Sequence, residues 1–266
     1  MNDSTPKQRL RRYLIASQFK PGLFGMITNP FYFARTRLLS TLERVAGKAR
    51  GRMLDVGCGQ KPYRHLFRVD EYVGLEIDTP ENRANKQADF FYDGRSFPFA
   101  DGSFDSVFAS QVFEHVFNPE EFLSEVARVL RPGGSLILTL PFFWDEHEQP
   151  YDFARYSSFG LSHLLSRHGF RVEELHKSGA DLSPVLQAWG MYVFKALTPK
   201  NPWLKLATAG LMTAPLNVVG SLLIPLFPEN PDLFLDLVVR ATRLETAHAG
   251  SELADSSGQL RSPVRG

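Results

Sequence analysis

The stretch Met53-Leu54-Asp55-Val56-Gly57-Cys58-Gly59 joins a short apolar strand directly to a turn that contains two glycines. Glycine is needed where a backbone turns sharply or comes close to a ligand. In a parallel sheet such a turn opens at the carboxyl ends of the strands, which is the edge where ligands bind. The stretch therefore predicts a ligand site above the first strand of an α/β domain.

Two common phosphate-binding turns do not fit this stretch. A nicotinamide-binding turn would place a third glycine at position 62, where the chain has Pro62. A P-loop would need a Gly-Lys-Ser/Thr sequence, which the turn lacks. Asp55, just before the turn, suits a ligand that carries a cation or hydroxyl groups near the loop.

Acidic residues also follow the next two predicted strands. Glu76 lies at the end of the second strand, 17 residues after Gly59, and can accept hydrogen bonds from two ribose hydroxyls. Asp93-Gly94 follows the third strand, where a carboxylate could accept from the exocyclic amine of a base. Three strand ends thus carry acids in the order that one adenosine site needs, which favours a nucleoside ligand without a pyrophosphate.

The surrounding sequence predicts an α/β fold with a mainly parallel sheet, because short apolar runs alternate with amphipathic helices over residues 51–179. One helix is predicted after Asn118, which can cap it, with Pro119 at the first helical position. A second helix is predicted over Ser158 to His168. The predicted strands are Met53–Val56, Tyr72–Ile77, Asp89–Tyr92, Phe104–Ser110 and Ser135–Leu140.

Composition excludes several classes of protein. The chain has 266 residues, of which 43% are hydrophobic and 22% are charged, so bulk disorder, collagen and coiled coil are excluded. Its single cysteine, Cys58, permits no internal disulfide, which fits a cytoplasmic location. The N-terminal cations are followed by no continuous apolar core, so the start of the sequence does not resemble a secretory signal.

Five motifs in order resemble the class I S-adenosylmethionine-dependent methyltransferases, over about residues 50–178. The similarity is greatest to the small-molecule branch that includes ubiquinone-pathway and cell-surface-sugar enzymes. It implies a Rossmann-like sheet of seven strands with helices on both faces and an antiparallel last strand, for which Leu233 to Ala241 is the best candidate. The motifs are Leu54–Gly59, Val73–Ile77, Phe97–Asp105, Glu114–Val116 and Leu130–Gly134.

The resemblance also implies S-adenosylmethionine as the cofactor and assigns residues to it. Cys58, in the glycine turn, is interpreted as a space-filling residue rather than a redox group. The implied contacts are Asp55, Gly57 and Gly59 with the methionine part, Glu76 with the ribose, Asp93, Gly94 and Ile77 with the adenine, and Ser110 and Gln111 completing the pocket.

Two histidines are candidates for the base that a hydroxyl acceptor needs. His115 follows the fourth strand and His147 the fifth, and a structural role is an open alternative for each. Some quinone-pathway relatives hold a divalent metal with carboxylates around such a Glu-His pair, but Gln111 replaces one of those carboxylates, so no metal is predicted. The loop of His147 carries candidate acceptor-binding residues, namely Trp144, Tyr151, Asp152, Arg155 and Tyr156.

Charge and composition divide the chain into three parts: a basic helical N-terminal arm (1–50), a methyltransferase domain (51–242) with an apolar insertion (180–231), and a disordered tail (243–266). Residues 1–52 carry eleven cations and two acids. This excess suggests an anionic partner, either a membrane or nucleic acid, and a solvated basic helix is the alternative.

Residues 206–227 form a run of 22 residues without a charge, long enough to span a membrane. Prolines within the run argue against a membrane span. Topology also argues against it, because a strand of the sheet that follows the run would place both ends of the run on the same side of the membrane. The run is predicted to fold as a helical hairpin. This hairpin either packs on the domain, enters one leaflet of a membrane, or forms a homodimer interface.

The sequence therefore predicts methylation of a hydroxyl on a small or lipid-linked hydrophobic acceptor at the inner face of a membrane. One alternative is a cofactor-binding scaffold without catalysis. A nucleic-acid methyltransferase is less favoured, because the chain lacks an Asn/Asp-Pro-Pro-Tyr motif.

Overall fold

A computed structural model describes residues 18–197, 199 and 201–245. The cations from Lys7 to Arg12 in the N-terminal arm lie outside these residues, and so does the tail from 246 to 266. The predictions of a basic amphipathic start and a disordered tail therefore concern residues that the structure does not describe.

The core of the fold is a seven-stranded sheet in the order β3-β2-β1-β4-β5-β7-β6. Strand β7 runs antiparallel to both β5 and β6, whereas the other neighbouring pairs are parallel. The predicted Rossmann-like sheet with an antiparallel last strand is confirmed. The strands are β1 Arg52–Val56, β2 Glu71–Ile77, β3 Phe90–Tyr92, β4 Phe104–Ser110, β5 Leu130–Pro141, β6 Phe170–Ser178 and β7 Asp236–Arg243.

Strand β5 begins earlier than predicted. Arg131-Pro132-Gly133-Gly134 was expected to be a turn, but the strand already starts at Leu130, which pairs with Phe104. The pairing is irregular there, and Gly133 has a φ of +76°. Because a glycine accepts this left-handed conformation, the chain can turn and keep one sheet contact at the same time.

The helices lie on both sides of this sheet. Helix α4 begins with Pro119, as predicted, but Asn118 makes no side-chain capping bond to the backbone and instead donates to Glu121 Oε2 at 3.3 Å. The helices are α1 Leu23–Thr28, α2 Tyr32–Ala46, α3 Pro80–Asn85, α4 Pro119–Val129, α5 Ser158–Arg167, α6 Ser183–Leu197 and α7 Pro202–Leu223, with 3₁₀ turns at Arg64–Leu66, Phe113–His115 and Ile224–Leu226.

Two apolar clusters fix the helices to the sheet. On one side, Leu38, Leu42 and Val45 of α2 pack against strand residues such as Phe108. On the other side, α4 and α5 bury their apolar stripes against β1, β4 and β5. These contacts place the start of α2 and the glycine turn at the same edge of the sheet, where the strands end.

The apolar insertion folds differently from its prediction. The run 206–227 was expected to form a hairpin within itself, but α7 is one helix that contains Pro215 and continues into a 3₁₀ turn. Its hairpin partner is α6, which precedes the run and packs against α7. Among the described residues, no helix combines the length and the apolar character needed to cross a membrane.

Candidate active site

A cavity of about 270 Å³ opens at the carboxyl edge of the sheet. Its walls come from the glycine turn after β1, the ends of β4 and β5, the start of β7 and the N-terminal helices. Nine residues that the sequence assigned to the site lie in these walls: Asp55, Gly57, Cys58, Gly59, Ser110, Gln111, His115, Trp144 and His147.

The two glycines of the turn serve different purposes. Gly57 has a φ of +69°, and a Cβ built on it would lie 2.4 Å from Val112 Cγ2, so a side chain there collides with the protein. Gly59 has a φ of +53°, and a Cβ built on it would meet no atom within 4 Å. Gly57 is therefore required by packing, whereas Gly59 keeps a space open beside the cavity.

Glu76 is tied to this turn. Its Oε2 accepts a hydrogen bond from the Gly59 amide at 3.0 Å, and the side chain is buried. Its other oxygen, Oε1, has only a long contact of 3.4 Å with the Ile77 amide. A carboxylate oxygen at this strand end can accept bonds from a pair of ribose hydroxyls.

The predicted adenine contacts lie outside the cavity walls. Asp93 is exposed, and its Oδ1 accepts from the amides of Arg95 and Ser96, which holds the pKa of the carboxyl below its usual range. Gly94 follows it with a φ of +84°. Ile77 is partly exposed at the end of β2. Their contacts with a base stay predictions.

Asp55 is buried beneath the turn. Tyr72 donates its hydroxyl to Asp55 Oδ2 at 2.5 Å. Burial raises the pKa of Asp55 to about 7, against the opposing effects of Tyr72 and Lys61. A cationic ligand group beside this carboxyl would favour its ionised form, because opposite charges stabilise each other at low dielectric.

Cys58 behaves as a small apolar residue. It is buried, and burial raises the pKa of its thiol to about 12. The thiolate is the reactive form of cysteine, so this thiol is a poor nucleophile at neutral pH. The geometry agrees with the space-filling interpretation.

His147 is oriented by two acceptors on one side of its ring. Its Nδ1 lies 3.2 Å from Asp152 Oδ2 and 3.2 Å from the Asp145 carbonyl oxygen. Arg155 in turn binds Asp152 through two nitrogens, and the pKa of Asp152 falls to about 2, chiefly because of these bonds. With Nδ1 donating, Nε2 of the neutral ring is left as a proton acceptor.

His115 is anchored in a similar way. Its Nδ1 lies 2.8 Å from the carbonyl oxygen of Tyr151, which makes Nδ1 the donor in the neutral ring. Its Nε2 lies 3.8 Å from Glu114 Oε1, and its ring meets the His147 ring edge-on at a centroid distance of 4.8 Å. Both histidines therefore turn their Nε2 atoms away from their backbone anchors.

Glu114 is fully buried, and neither of its carboxylate oxygens has a hydrogen-bond partner. Burial raises the pKa of Glu114 to about 8. Ligand atoms of Glu114, His115 and His147 lie within 4.8 Å of one another, a grouping that could hold a metal ion. Gln111 is not part of this group, since it donates to Thr139 and Asp236. That no metal binds stays a prediction.

Of the predicted acceptor-binding residues, only Trp144 lies in the cavity wall. Asp152 and Arg155 support His147 from behind, as described above. Tyr151 is exposed, and Tyr156 packs its ring 5.1 Å from that of Phe113. The loop thus supplies one wall residue and the support of a histidine rather than five direct contacts.

Six polar wall residues were not predicted from the sequence: Gln60, Lys86 and Glu148, and the three described next, Arg35, Tyr63 and Asp236. Arg35 comes from α2, Tyr63 from the segment after the glycine turn, and Asp236 from the start of β7. The Tyr63 hydroxyl and Asp236 Oδ2 are buried without a hydrogen-bond partner, and no ion pair to Arg35 is seen within the described ranges. None of the three belongs to a local motif; only the position of Asp236 at the start of the last strand could have indicated it.

These residues fit S-adenosylmethionine. The cofactor carries a carboxylate, an ammonium, a sulfonium and two ribose hydroxyls. The cavity offers the guanidinium of Arg35, which lies 5.0 Å from the centroid of the Phe19 ring, and a buried carboxyl at Asp55. Glu76 stands at the next strand end for the hydroxyls, and Gly59 leaves the space between them open.

Comparison with known proteins agrees with this fit. Residues 54–138 match the model of a methyltransferase domain family. An uncharacterized methyltransferase of Mycobacterium sp. (strain JLS) is 44% identical over 94 residues, covering 33% of this chain and 37% of that protein. A probable S-adenosylmethionine-dependent methyltransferase of Mycolicibacterium smegmatis is 29% identical over 164 residues, covering 56% and 63%. The chain thus spans less than two thirds of the length of either relative.

The [4+2]-cyclase SpnF is similar in structure, with a TM-score of 0.51 and 19% identity over 79% of this chain and 82% of that one. At this identity the similarity shows the fold alone. The family match, the sheet order and the glycine turn with Glu76 agree with one another, whereas the small-molecule branch stays a prediction. Residues 54–138 therefore carry a methyltransferase domain, and the sheet order and the glycine turn agree with the class I S-adenosylmethionine-dependent methyltransferases.

Proposed function

We propose that this protein transfers a methyl group from S-adenosylmethionine to a hydroxyl of a small or lipid-linked hydrophobic acceptor. The observation that carries the proposal is His147, which stands in the cavity wall with Nδ1 held by Asp152 and Nε2 left as a proton acceptor. A hydroxyl must lose its proton on methylation, and a well-placed base contributes about 10²–10⁴-fold to the rate.

The chain's own residues would bind the cofactor and orient the acceptor. Arg35 and Tyr63 would hold the carboxylate of the cofactor, Asp55 its ammonium, and Glu76 its ribose. Bound S-adenosylmethionine supplies a methyl group that its sulfonium has already activated. Positioning the acceptor hydroxyl between His147 and that methyl is then the main task of the protein, and such positioning alone can contribute roughly 7–11 kcal/mol.

The lining of the cavity on the acceptor side fits an acceptor that carries a hydroxyl group and an aromatic or apolar part. Trp144 forms one wall, and Phe31 packs against it at a ring-centroid distance of 5.5 Å. Gln111 and Asp236 form a polar patch on the same cavity. In its more specific form, the proposal is that the acceptor is linked to a lipid and is methylated at the inner face of a membrane.

The test is methyl transfer from S-adenosylmethionine with a deuterated methyl group, offered with panels of hydroxylated and amine acceptors. Mass spectrometry of the products should show the labelled methyl on oxygen, and an ether should be stable to treatments that cleave esters. Labelling of amines alone would overturn O-methylation.

The same assay distinguishes two alternative functions from O-methylation. A scaffold protein would bind the cofactor and label no acceptor in any panel; the cyclase with this fold illustrates that the fold does not fix the reaction. A nucleic-acid methyltransferase would label RNA or DNA instead. The His147–Asp152 pair favours turnover over a scaffold, because a protein that only binds cofactor needs no oriented base.

A further inference from the structure

Helices α1, α6 and α7 pack into one unit, because α7 contacts both α1 and α6. Buried amides hold this unit together. Asn217 of α7 donates to the carbonyl oxygens of Met26 and Asn29, at 2.9 and 3.1 Å. Gln187 of α6 donates to Pro30 O at 2.9 Å and accepts from the Ala34 amide at 3.1 Å. The helices are thus fixed relative to α2, whose start carries Ala34.

Each of these helices exposes an apolar stripe. Leu23 of α1 is 84% exposed, and Ile27 lies one turn further on. Trp189 and Tyr192 of α6 are more than half exposed, and so are Leu211 and Leu222 of α7. The spacings of three, four and eleven residues place each set on one helical face. Single exposed apolar residues are ordinary, but stripes on three packed helices indicate a contact surface.

The distribution of charge along the sequence distinguishes between two candidate partners, a second copy of the chain and an anionic surface. Residues 182–228 carry three lysines, of which Lys195 pairs with Asp145, and no acid, and residues 1–31 carry five cations and one acid. The whole chain is nearly balanced, with 30 cations and 29 acids, so the remaining parts are acidic. Two copies meeting through the same surface would bring like charges together. An anionic surface is instead complementary.

We propose that the stripes on α1, α6 and α7, here named the docking face, bind the surface of an anionic lipid bilayer. Tryptophan and tyrosine suit the boundary between headgroups and acyl chains, and nearby cations add attraction to anionic lipid. In this arrangement α1, α6 and α7 lie along the surface of the bilayer. Lys20, exposed just before α1, is placed to contact headgroups.

Helix α6 carries part of the docking face on one side and reaches the cavity wall from another side. Its Phe194, on a different helical face from Trp189 and Tyr192, contacts Phe31 at a centroid distance of 6.0 Å, and Phe31 contacts the cavity wall residue Trp144. We therefore place the bilayer on the α6 side of the cavity, where an apolar acceptor would enter. This second step rests on the proposed function, whereas the docking itself does not.

Vesicle flotation of the full-length protein tests the docking. Vesicles of phosphatidylcholine alone are compared with vesicles that also contain phosphatidylglycerol. The protein should float with the anionic vesicles, and high salt should reduce but not abolish the bound fraction, because burial of the apolar stripes does not depend on salt. Leu222→Glu and Leu211→Glu should each lower the bound fraction at least tenfold. Phe159→Glu, a substitution of an equally exposed residue on α5, should leave it unchanged.

Three results would overturn the proposal. The first is no flotation with anionic vesicles at low salt, and the second is equal loss of flotation in Phe159→Glu. The third is a mass in solution that rises with concentration and falls in Leu222→Glu without vesicle binding, which would assign the face to a second copy of the chain. Flotation needs neither cofactor nor turnover, so its failure and the failure of methyl transfer are distinguishable.

Discussion

Asp152 Oδ2 accepts a hydrogen bond from the His147 backbone amide at 3.1 Å and lies 3.2 Å from Nδ1 of the same residue. One carboxylate oxygen thus fixes both the main chain and the ring of one histidine. Arg155 binds the same carboxylate from the other side. This arrangement keeps Asp152 ionised and makes Nδ1 the donating nitrogen of the His147 ring.

We expect His147→Ala to lower turnover by about 10²–10⁴-fold while cofactor affinity stays nearly unchanged, because the base is lost and the cofactor contacts are not. Asp152→Asn should also lower turnover and should shift the pH profile, since the ring loses its anionic partner. Steady-state kinetics and calorimetry measure the two quantities. His163→Ala, an exposed histidine on α5, is the matched control.

Loss of cofactor binding in His147→Ala would mean that His147 contributes to cofactor binding rather than to catalysis. Full turnover in the same variant would mean that positioning alone drives the reaction or that the base lies elsewhere. His115 is expected to differ, because its ring is anchored to the Tyr151 carbonyl in a buried cluster; His115→Ala should lose stability as well as activity.

Gly59 provides a cleaner test of cofactor binding than Gly57. Gly57→Val should abolish binding, but its side chain would also collide with Val112, so loss of fold and loss of binding are confounded. Gly59→Ala adds a methyl group into open space at a cost of about 1–2 kcal/mol for its left-handed φ. It should stay folded and lose affinity for S-adenosylmethionine.

Calorimetry and thermal melting of Gly59→Ala check this expectation. Gly169→Ala, also at positive φ with open space around it, serves as a control for backbone strain at a position outside the cavity wall. Unchanged affinity in Gly59→Ala would mean that the cofactor does not pass over the turn.

The sheet and the glycine turn could be predicted because their signals are local. Met53 to Gly59 combines a buried strand with glycines that need positive φ, and Glu76 follows at the spacing of one strand–turn–strand unit. The antiparallel direction of β7 was predicted from the family resemblance, because the residues of an apolar strand do not indicate the direction in which it runs in a sheet.

The remaining cavity wall could not be predicted, because packing over long distances in sequence creates it. Arg35 reaches the site only because α2 packs across the sheet, and Asp236 only because β7 inserts between β5 and β6. The hairpin predicted within 206–227 was wrong for a related reason: α7 continues through Pro215, and its packing partner α6 lies outside the run.

Arg35 should bind the carboxylate of the cofactor, because its guanidinium lies in the cavity wall and the Phe19 ring stacks on it. Arg35→Met should weaken S-adenosylmethionine binding by roughly tenfold to a hundredfold, the range for a charge-assisted hydrogen bond. The decarboxylated analogue should bind the wild-type protein and Arg35→Met equally well, because it lacks the group that Arg35 would hold. Arg44→Met, an exposed position on the same helix, is the control.

The prediction that no metal takes part can be tested at the Glu114, His115 and His147 group. We expect turnover to survive chelators, and we expect metal analysis of the purified protein to find no stoichiometric divalent ion. Titration with cobalt would reveal an imidazole-ligated site through its visible absorption. A spectrum that disappears in His147→Ala, together with loss of turnover on chelation, would show that the group binds a metal and that His147 is a ligand.

Glu114 should make stability depend on pH. Its folded pKa is raised by burial to about 8 from an ordinary value of 4.5. Between these values the folded protein holds a proton that the unfolded chain has released, so stability falls as pH rises through this window, by up to roughly 1.4 kcal/mol per pH unit. Below the window both states are protonated, and the contribution is constant.

Glu114→Gln should therefore flatten the fall in melting temperature from about pH 5 to about pH 8, because an amide keeps the neutral form at every pH. The charges that act on Glu114 are Arg155, which lowers its pKa, and Asp236 and Asp152, which raise it. Asp236 and Asp55 are also buried with their pKa raised to about 7, so part of the slope should remain in Glu114→Gln and should become smaller, without disappearing, when Asp236→Asn is added. Glu229→Gln, at an exposed position, should leave the slope unchanged. An identical slope in Glu114→Gln and in the wild-type protein would mean that Glu114 is already ionised in the fold, and a compensating cation would then have to lie beside it.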